Sequence, residues 1–338
     1  MLSIIMPVLN EEELLPRAYD EVTAVMRTVP YDYEVLLIDN CSTDRTPEIA
    51  EELCRRDSRW RYIRFSRDFL AEISQAAGLR YARGDAAIFV ASDLQDPPEM
   101  IPEFLKKWEE GYDVVLGIQK KRPGDPAWRN LAVEVAYFII NKLSDVKLPK
   151  HAGDFRLLSR PVIDAINGMG ERTRYLRGMS YSVGFKRATV HYSRRPRQAG
   201  DSKAPFWHLI NFTITAIIRF SIKPLHLFTL LGVVVLGLST VLSAFLVANY
   251  FLGLPTVPGV TSTHLMLMTI LGFNSLGFGV LGEYVGRIYT ESKSRPLWII
   301  DRTLNIEVAP NRRIENRSWS SRPASDGVVG GGTDARAA

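Results

Sequence analysis

Two long apolar runs, residues 225–252 and 265–285, lie toward the end of this chain. Each reaches or exceeds the roughly 20 residues that a helix needs to cross a bilayer. Nothing comparable precedes them, and the mean hydropathy of the whole chain is only −0.03. The apolar content is therefore local. Such a chain is expected to fold as a water-soluble N-terminal region followed by its own two-helix transmembrane hairpin.

The flanking charges orient that hairpin. Lys223 precedes the first run, and Arg287, Lys293 and Arg295 lie at or beyond the end of the second, whereas residues 253–263 carry no charge. The positive-inside bias places both ends of the hairpin, and with them the N-terminal region and the C-terminal tail, on the cytoplasmic side of the inner or plasma membrane. Residues 204–224 are apolar but interrupted by His208, Asn211 and Arg219, and they end at Pro224. This pattern predicts an amphipathic helix lying in the interface. Residues 291–338 form a tail, polar and then Gly-rich, with disorder expected after about residue 310.

The net charge of +5 suits nucleotide phosphates or an anionic membrane face. No zinc-finger pattern or stacked aromatic-basic motif appears, so nucleic acid is not an expected partner. Only two cysteines occur, Cys41 and Cys54, and neither sits in a CxxC, which argues for a reducing compartment without a disulfide framework. The first apolar stretch, residues 2–9, is short, contains Pro7 and has no charged leader, so no cleavable signal peptide is expected.

Residues 1–203 alternate apolar runs with amphipathic stretches. Strands are predicted at 2–8, 34–38, 60–65, 86–91 and 114–117, with helices from Glu11 onward, at 46–56 and at 71–81. The alternation predicts an α/β fold with a mostly parallel, Rossmann-like sheet. Ligands of such sheets bind beyond the carboxyl ends of the strands. The polar clusters Asn10-Glu11, Asp39 and Asp93 fall at three such ends and are expected to converge on an active site.

The most specific stretch is SDLQDPPE, residues 92–99. A carboxylate at a strand end with an amide carbonyl two residues on, Asp93 and Gln95, suits a hard cation such as Mg²⁺ or Mn²⁺. That cation bridges nucleotide phosphates and neutralises a departing diphosphate. Asp96, followed by Pro97 and Glu99, reads chiefly as a helix start: an N-cap, a Pro in the first turn and an acid at N3. Asn10 and Asp44 have two readings, as contacts to a nucleotide or as caps of the helices that follow. Asp39 is placed to accept a hydrogen bond from a base N–H.

Together PVLNEEE (7–13), DNCSTDRT (39–46), SDLQDPPE, GDFRL (153–157), RYLRGM (174–179) and AGDSK (199–203) resemble, in order, the inverting family-2 glycosyltransferases of GT-A fold. The likeness is to polyprenyl-phosphate glycosyltransferases of the dolichol-phosphate-mannose-synthase and bactoprenol-glucosyltransferase type, and it runs over about residues 1–300. It implies that Asp93 and Gln95 hold the metal, with Pro7, Asn10, Glu11, Asp39 and Ser92 around the nucleotide. It implies an acceptor-side carboxylate at Asp154, often called the catalytic base. A phosphomonoester has its second pKa near about 6, so the acceptor oxygen is largely ionised already, and Asp154 has orientation of the acceptor as its other role. Arg122, Arg129, Arg174 and Lys203 are candidates to hold acceptor or donor phosphates.

Three positions depart from the family pattern. Ala91 stands where Asp-x-Asp has its first acid, Asn40-Cys41 where Asp-Gly is usual, and Arg67-Asp68-Phe69-Leu70 where Arg-Asn-Phe-Gly is common. A Leu in a Gly-only backbone predicts a reshaped loop at residue 70. The activity implied is transfer of a sugar from a nucleotide sugar, UDP-glucose first, to a membrane polyprenyl phosphate, as a step in assembling or modifying cell-envelope glycan. The alternatives are a GDP-mannose-dependent mannose synthase and an inactive membrane scaffold favoured by Ala91. Small residues in the apolar runs permit close helix packing, and the resemblance implies a homo-oligomer, a tetramer.

Overall fold

Seven strands of the N-terminal region and one from residues 300–304 form a single eight-stranded sheet. The computed structural model describes residues 1–119, 152–171, 174–195, 259–293 and 295–306, with isolated positions between 230 and 252. Its first strands are β1 (Leu2–Val8), β2 (Tyr33–Asp39), β3 (Trp60–Phe65) and β4 (Ala86–Phe89), followed by β5 (Val114–Gln119), β6 (Ala152–Ser159), β7 (Arg187–Tyr192) and β8 (Ile300–Leu304). Their order across the sheet is β7-β5-β6-β4-β1-β2-β3-β8. β1 is parallel to β2 and β4, β2 to β3, and β5 to β7. β6 runs antiparallel to β4 and β5, and β8 antiparallel to β3. This is the mostly parallel sheet of a GT-A fold.

The central strands are apolar throughout because both faces are covered. Successive side chains point to opposite faces, so Ile4 and Ile5 enter different cores. Ile4, Met6, Val35 and Leu37 join one core with α1 (Leu15–Met26), α2 (Thr46–Arg56) and α4 (Ile101–Glu109). Ile5, Leu36 and Ile38 join the other with α3 (Ala71–Tyr81), α5 (Arg160–Gly168) and α6 (Leu176–Ser182). Helices α1, α2, α4 and α5 each carry Pro in the first turn, where a missing N–H costs nothing.

α3 lies directly against β1. A Cβ added at Gly78 would lie 2.2 Å from Ile5 Cγ2, so only glycine lets the helix backbone lie on β1. That approach holds the turn between β3 and α3 against the ends of β1 and β2, where the polar clusters are.

The predicted strands appear with shifted ends. β4 stops at Phe89 rather than 91, and β5 runs on to Gln119. The helix expected from Glu11 begins at Leu15, since the amides of Glu11 and Glu12 are bonded to Thr46 Oγ1 and Asp44 Oδ2 at 2.8 and 3.2 Å. Strand β8 is a feature that periodicity missed, because five residues of mixed polarity carry little signal. It is pinned by Asn305, whose side-chain amide donates to the carbonyls of Cys54 and Trp60 at 2.6 and 2.9 Å. Trp298 stacks on Phe65 with ring centroids 6.4 Å apart.

Between β7 and β8 the chain includes α7 (Val260–Ser292), which contains the second apolar run. Among the described residues no helix is long and apolar enough to cross a membrane. The first apolar run lies mostly outside the described residues, as do the stretch 204–224 expected to lie in the interface and the tail after 306.

Candidate active site

The strand directions bring the polar clusters to one rim. β1 to β4 are parallel, with Val8 opposite Asp39 and Asp39 opposite Arg64. β6 runs the other way, so its first residues, Gly153 and Asp154, lie where β4 and β5 end; Ala152 pairs with Ile118. Gln119 of β5 pairs with Tyr192 of β7 at the same edge. Asn10, Asp39, Asp93, Asp154 and Tyr192 therefore share the carboxyl rim, although they come from five segments.

On one side of the rim the loops after β1 and β2 are laced together. Asn10, at φ 54°, donates its backbone N–H to Ser42 Oγ at 3.0 Å, and its Oδ1 accepts from the Thr43 amide at 2.8 Å. Glu12 Oε2 accepts from the Arg45 amide at 2.9 Å. Asp44 accepts from the Thr46 and Glu12 amides, at 3.0 and 3.2 Å. Burial works to raise the pKa of Asp44, but the hydrogen bonds from Thr46 and the Glu12 amide outweigh it and hold the carboxyl below its ordinary value. Asn10 thus caps no helix; it ties the two loops. Asp44 serves both the start of α2 and the tie. Pro7 is half-buried within β1.

Asp39 departs from expectation. It is fully buried, its Oδ1 accepts from the Ser42 amide at 2.8 Å and its Oδ2 from Tyr62 Oη at 2.6 Å. Burial and the neighbouring Asp39 push the Tyr62 phenol far above its ordinary pKa, so it remains a donor. In this structure the carboxylate is turned into the protein and organises the Asp39–Ser42 turn, instead of facing outward to an external base N–H.

The family departures at residues 40 and 68 meet each other. Asn40 Nδ2 donates to Asp68 Oδ1, and the Phe69 amide donates to Asn40 Oδ1 at 2.8 Å. The amide and the acid of the family pattern thus stand exchanged at two residues that are hydrogen-bonded to each other in this structure. The two glycine replacements keep glycine-like backbones, with Cys41 at φ 69° and Leu70 at φ 74°. The loop at Leu70 is thus not reshaped as expected; it retains the left-handed conformation with an exposed Leu in it.

The other side of the rim is built from charge. Leu94, at φ 54°, turns the chain so that the Gln95 amide reaches Asp93 Oδ1 at 3.0 Å and the Gln95 side chain lies against Asp93 Oδ2. Ser92 is buried beside them. Asp96 is not a helix cap: it is buried and accepts from Tyr192 Oη at 2.7 Å, with Arg194 Nε 3.5 Å away. Burial raises its pKa, and the nearby charges of Asp93 and Asp154 add to the rise against Tyr192 and Arg194. Asp93 and Asp154 thus both lie in the electrostatic neighbourhood of Asp96.

Asp154 is clamped. Arg177 donates to both its oxygens, from Nε at 2.9 Å and Nη2 at 2.7 Å, and Arg156 Nη2 adds a third bond at 2.7 Å. Arg156 is buried behind it. Desolvation works to raise the pKa of Asp154, but the Arg177 hydrogen bonds and the charges of Arg177 and Arg156 outweigh it and hold the carboxyl far below the ordinary range. A carboxylate so held is a poor proton acceptor near neutral pH, which favours orientation over proton removal, the two roles open to Asp154. Arg174 also differs from expectation: Nη1 and Nη2 donate to the carbonyls of Ile166 and Met169, both at 2.8 Å, and hold the segment after α5. Arg177, three residues on in RYLRGM, was missed because nothing in the sequence separates the two arginines. Arg122, Arg129 and Lys203 lie outside the described residues.

In this structure Gln95 Nε2 donates to Asp93 Oδ2; the Asp93 carboxylate and the Gln95 carbonyl oxygen are the hard donors that would suit a small divalent cation completing its shell from phosphate and water. Among the described residues no group of three or more His, Cys, Asp or Glu is gathered to hold a metal by itself.

Comparison with known proteins agrees with this architecture. Residues 3–166 match the family model described as glycosyl transferase family 2. The chain is 34% identical over 313 residues to an uncharacterised glycosyltransferase of Synechocystis, covering 93% of this chain and 98% of that one. It is 37% identical over 301 residues to a prophage bactoprenol glucosyl transferase homolog of Escherichia coli, with 89% and 98% covered. It is also 37% identical over 299 residues to the bactoprenol glucosyl transferase of Shigella phage SfV, with 88% and 97% covered.

Proposed function

Because the chain belongs to glycosyl transferase family 2 and is a glycosyltransferase acting on nucleotide sugars, we propose that it transfers glucose from UDP-glucose to the phosphate of a membrane polyprenyl phosphate. An acceptor phosphate oxygen attacks the anomeric carbon as the bond to the nucleoside diphosphate breaks on the opposite face, and the configuration inverts. The leaving diphosphate takes the bonding electron pair. With the acceptor phosphate already largely ionised, its second pKa being about 6, no proton has to be removed. The product serves as lipid-linked sugar donor for cell-envelope glycan.

The observation that carries the reading is the convergence of Asp93, Asp96 and Asp154 at the carboxyl rim of the sheet. Asp93 and Gln95 would hold Mg²⁺ or Mn²⁺, which when bound supplies positive charge to the departing diphosphate. The laced Asn10–Thr46 loops present backbone and short polar side chains to the nucleotide. Arg194 and Tyr192 hold Asp96 in place under the metal-binding loop. Positioning and fixed charge make up most of the catalysis.

The acceptor class is supported by the two relatives named as bactoprenol glucosyl transferase or its homolog and by the two apolar runs. Along α7 the side chains of Leu267, Leu271, Phe278, Leu281 and Val285 are exposed, as suits an apolar surrounding. The proposal therefore includes a multi-pass inner or plasma membrane enzyme with its catalytic region and tail in the cytoplasm, assembled as a homo-oligomer of four.

The test uses the full-length protein in mild detergent with a short polyprenyl phosphate, Mg²⁺ and, separately, UDP-glucose, UDP-galactose, UDP-N-acetylglucosamine and GDP-mannose. A hexosyl lipid of the expected mass from UDP-glucose supports the proposal. Product only from another donor overturns the sugar, and absence of product from all four overturns the transfer.

A further inference from the structure

We infer that Asp154 is a positioning residue, which acts by holding Arg177 for the phosphate of the acceptor and not by removing a proton. The inference rests on the transferase reading and deepens it. Three features of the geometry carry it. First, the Asp154–Arg177 contact is bidentate, 2.9 and 2.7 Å, and planar fork-to-fork pairing fixes an arginine's orientation as well as its distance. Second, Arg156 closes the other side of the carboxylate at 2.7 Å and is itself buried over the Phe89 ring, with Cζ 5.5 Å from its centroid. Asp154 is thereby locked between a buried cation and a partly exposed one. Third, Arg177 side-chain exposure is 31% against 1% for Arg156, so of the two it is Arg177 that reaches the open rim.

The charge arrangement fits an anion. The rim carries Asp93, Asp96 and Asp154, with the first and last both acting on Asp96, and three carboxylates alone would repel a dianionic phosphate. Two arginines, Arg156 and Arg177, meet one of those acids, Asp154, at the start of β6 and bring positive charge to that part of the rim. Asp93 and Gln95 are taken up by the metal and the donor diphosphate in the proposed reaction, so the phosphate that remains to be bound is the acceptor's monoester. Arginine presents several donors in a fixed fork and stays charged at every working pH.

The experiment separates this role from base catalysis and from simple structural support. Asp154→Asn, Asp154→Glu, Arg177→Lys and Arg177→Gln are made in the full-length protein, with thermal midpoints measured alongside. Losing a charge-assisted contact corresponds to about a 10- to 100-fold weakening. The expected result is an acceptor KM raised by that factor in Asp154→Asn and Arg177→Gln, with donor KM unchanged and kcat within about threefold. Asp154→Glu and Arg177→Lys should recover part of the loss, and Asp154→Asn combined with Arg177→Lys should be no worse than the poorer single variant. The kcat–pH profile should keep its shape in Asp154→Asn. A large fall in kcat at unchanged acceptor KM, or loss of an acid limb from the kcat profile, would overturn the inference, as would a rise confined to donor KM.

Calorimetric titration of a short polyprenyl phosphate into the same proteins, without nucleotide sugar, supplies a readout independent of turnover. Binding by the wild type that weakens in Asp154→Asn and Arg177→Gln supports the inference even if no donor yields product, in which case the transferase reading fails alone. Unchanged lipid-phosphate binding in Arg177→Lys and Arg177→Gln sinks the inference, whatever the activity. Arg177→Lys keeps the positive charge next to Asp154 and guards against the case in which Asp154→Asn does not fold.

Discussion

The two sides of the rim are held by different forces. Between Asn10 and Thr46 the loops are joined by short side chains bonded to backbone amides, as in Asn10 Oδ1 to the Thr43 amide and the Glu11 amide to Thr46 Oγ1. Between Asp93 and Arg195 the links are charged: Asp154 with Arg177 and Arg156, Asp96 with Arg194, Arg195 with Glu21 and Glu99. On the first side the acceptors, the carboxylates of Glu12, Asp39 and Asp44 among them, take up backbone N–H and Tyr62 O–H groups, which fixes the shape of the loops. A set of ion pairs creates a field that responds to pH and to charged ligands. The first side is suited to seat a nucleotide, the second to manage phosphate and a leaving diphosphate.

That contrast is open to direct attack. The largest effect is expected from Asp93→Asn, which should lower transfer by about 100-fold or more while moving the thermal midpoint by less than about 4 °C. A variant that unfolds instead would make Asp93 part of the scaffold. Next comes the exchanged pair on the laced side. Asn40→Asp sets two carboxylates against each other and should cost about 2 kcal/mol in denaturant unfolding, with most of it recovered on adding Asp68→Asn. Additive losses in the double variant would show that the exchange is not compensatory.

Within the charged side, acid titration separates two carboxylates by sign. Asp154 has a folded pKa below its unfolded value, so its contribution to stability is present above the ordinary carboxylate range near pH 4 and is lost as pH falls below it. Asp96 has its folded pKa raised, so its contribution is present below that range and is lost as pH rises through the folded value. Asp154→Asn should therefore flatten the acid fall in stability, and Asp96→Asn should flatten a loss on the rising side; stability curves measured at a series of pH values read both. The smallest effect is Leu70→Gly, expected to stabilise by about 1 kcal/mol by releasing a left-handed Leu. A loss of stability would mean that exposed Leu70 packs on something in the full-length protein.

What the sequence made legible follows the same division. β1 to β4 were readable because buried parallel strands are unbroken apolar runs, and the laced loops because Asn10, Asp39 and Asp44 are short polar residues at strand ends. The charged side was only partly readable. Asp93 stands out locally, but the distant partners of Asp154 and Asp96 are Arg177, Tyr192 and Arg194, 23 to 98 positions away along the chain. No local pattern tells which arginine of RYLRGM turns inward. β8 was hidden for the same reason: its partner β3 lies more than two hundred residues earlier. Asp96 looked like a cap because Pro97 and Glu99 follow it, and its burial against Tyr192 depends on a strand that the local sequence does not contain.

Hydrogen exchange on the full-length protein tests the division most directly. With UDP-glucose and Mg²⁺ added, the amides of residues 9–14 and 40–46 should slow; with a short polyprenyl phosphate alone, those of 152–158 and 174–182 should slow and the first set should not. Protection of the same residues by both ligands, or the reverse assignment, would contradict the account.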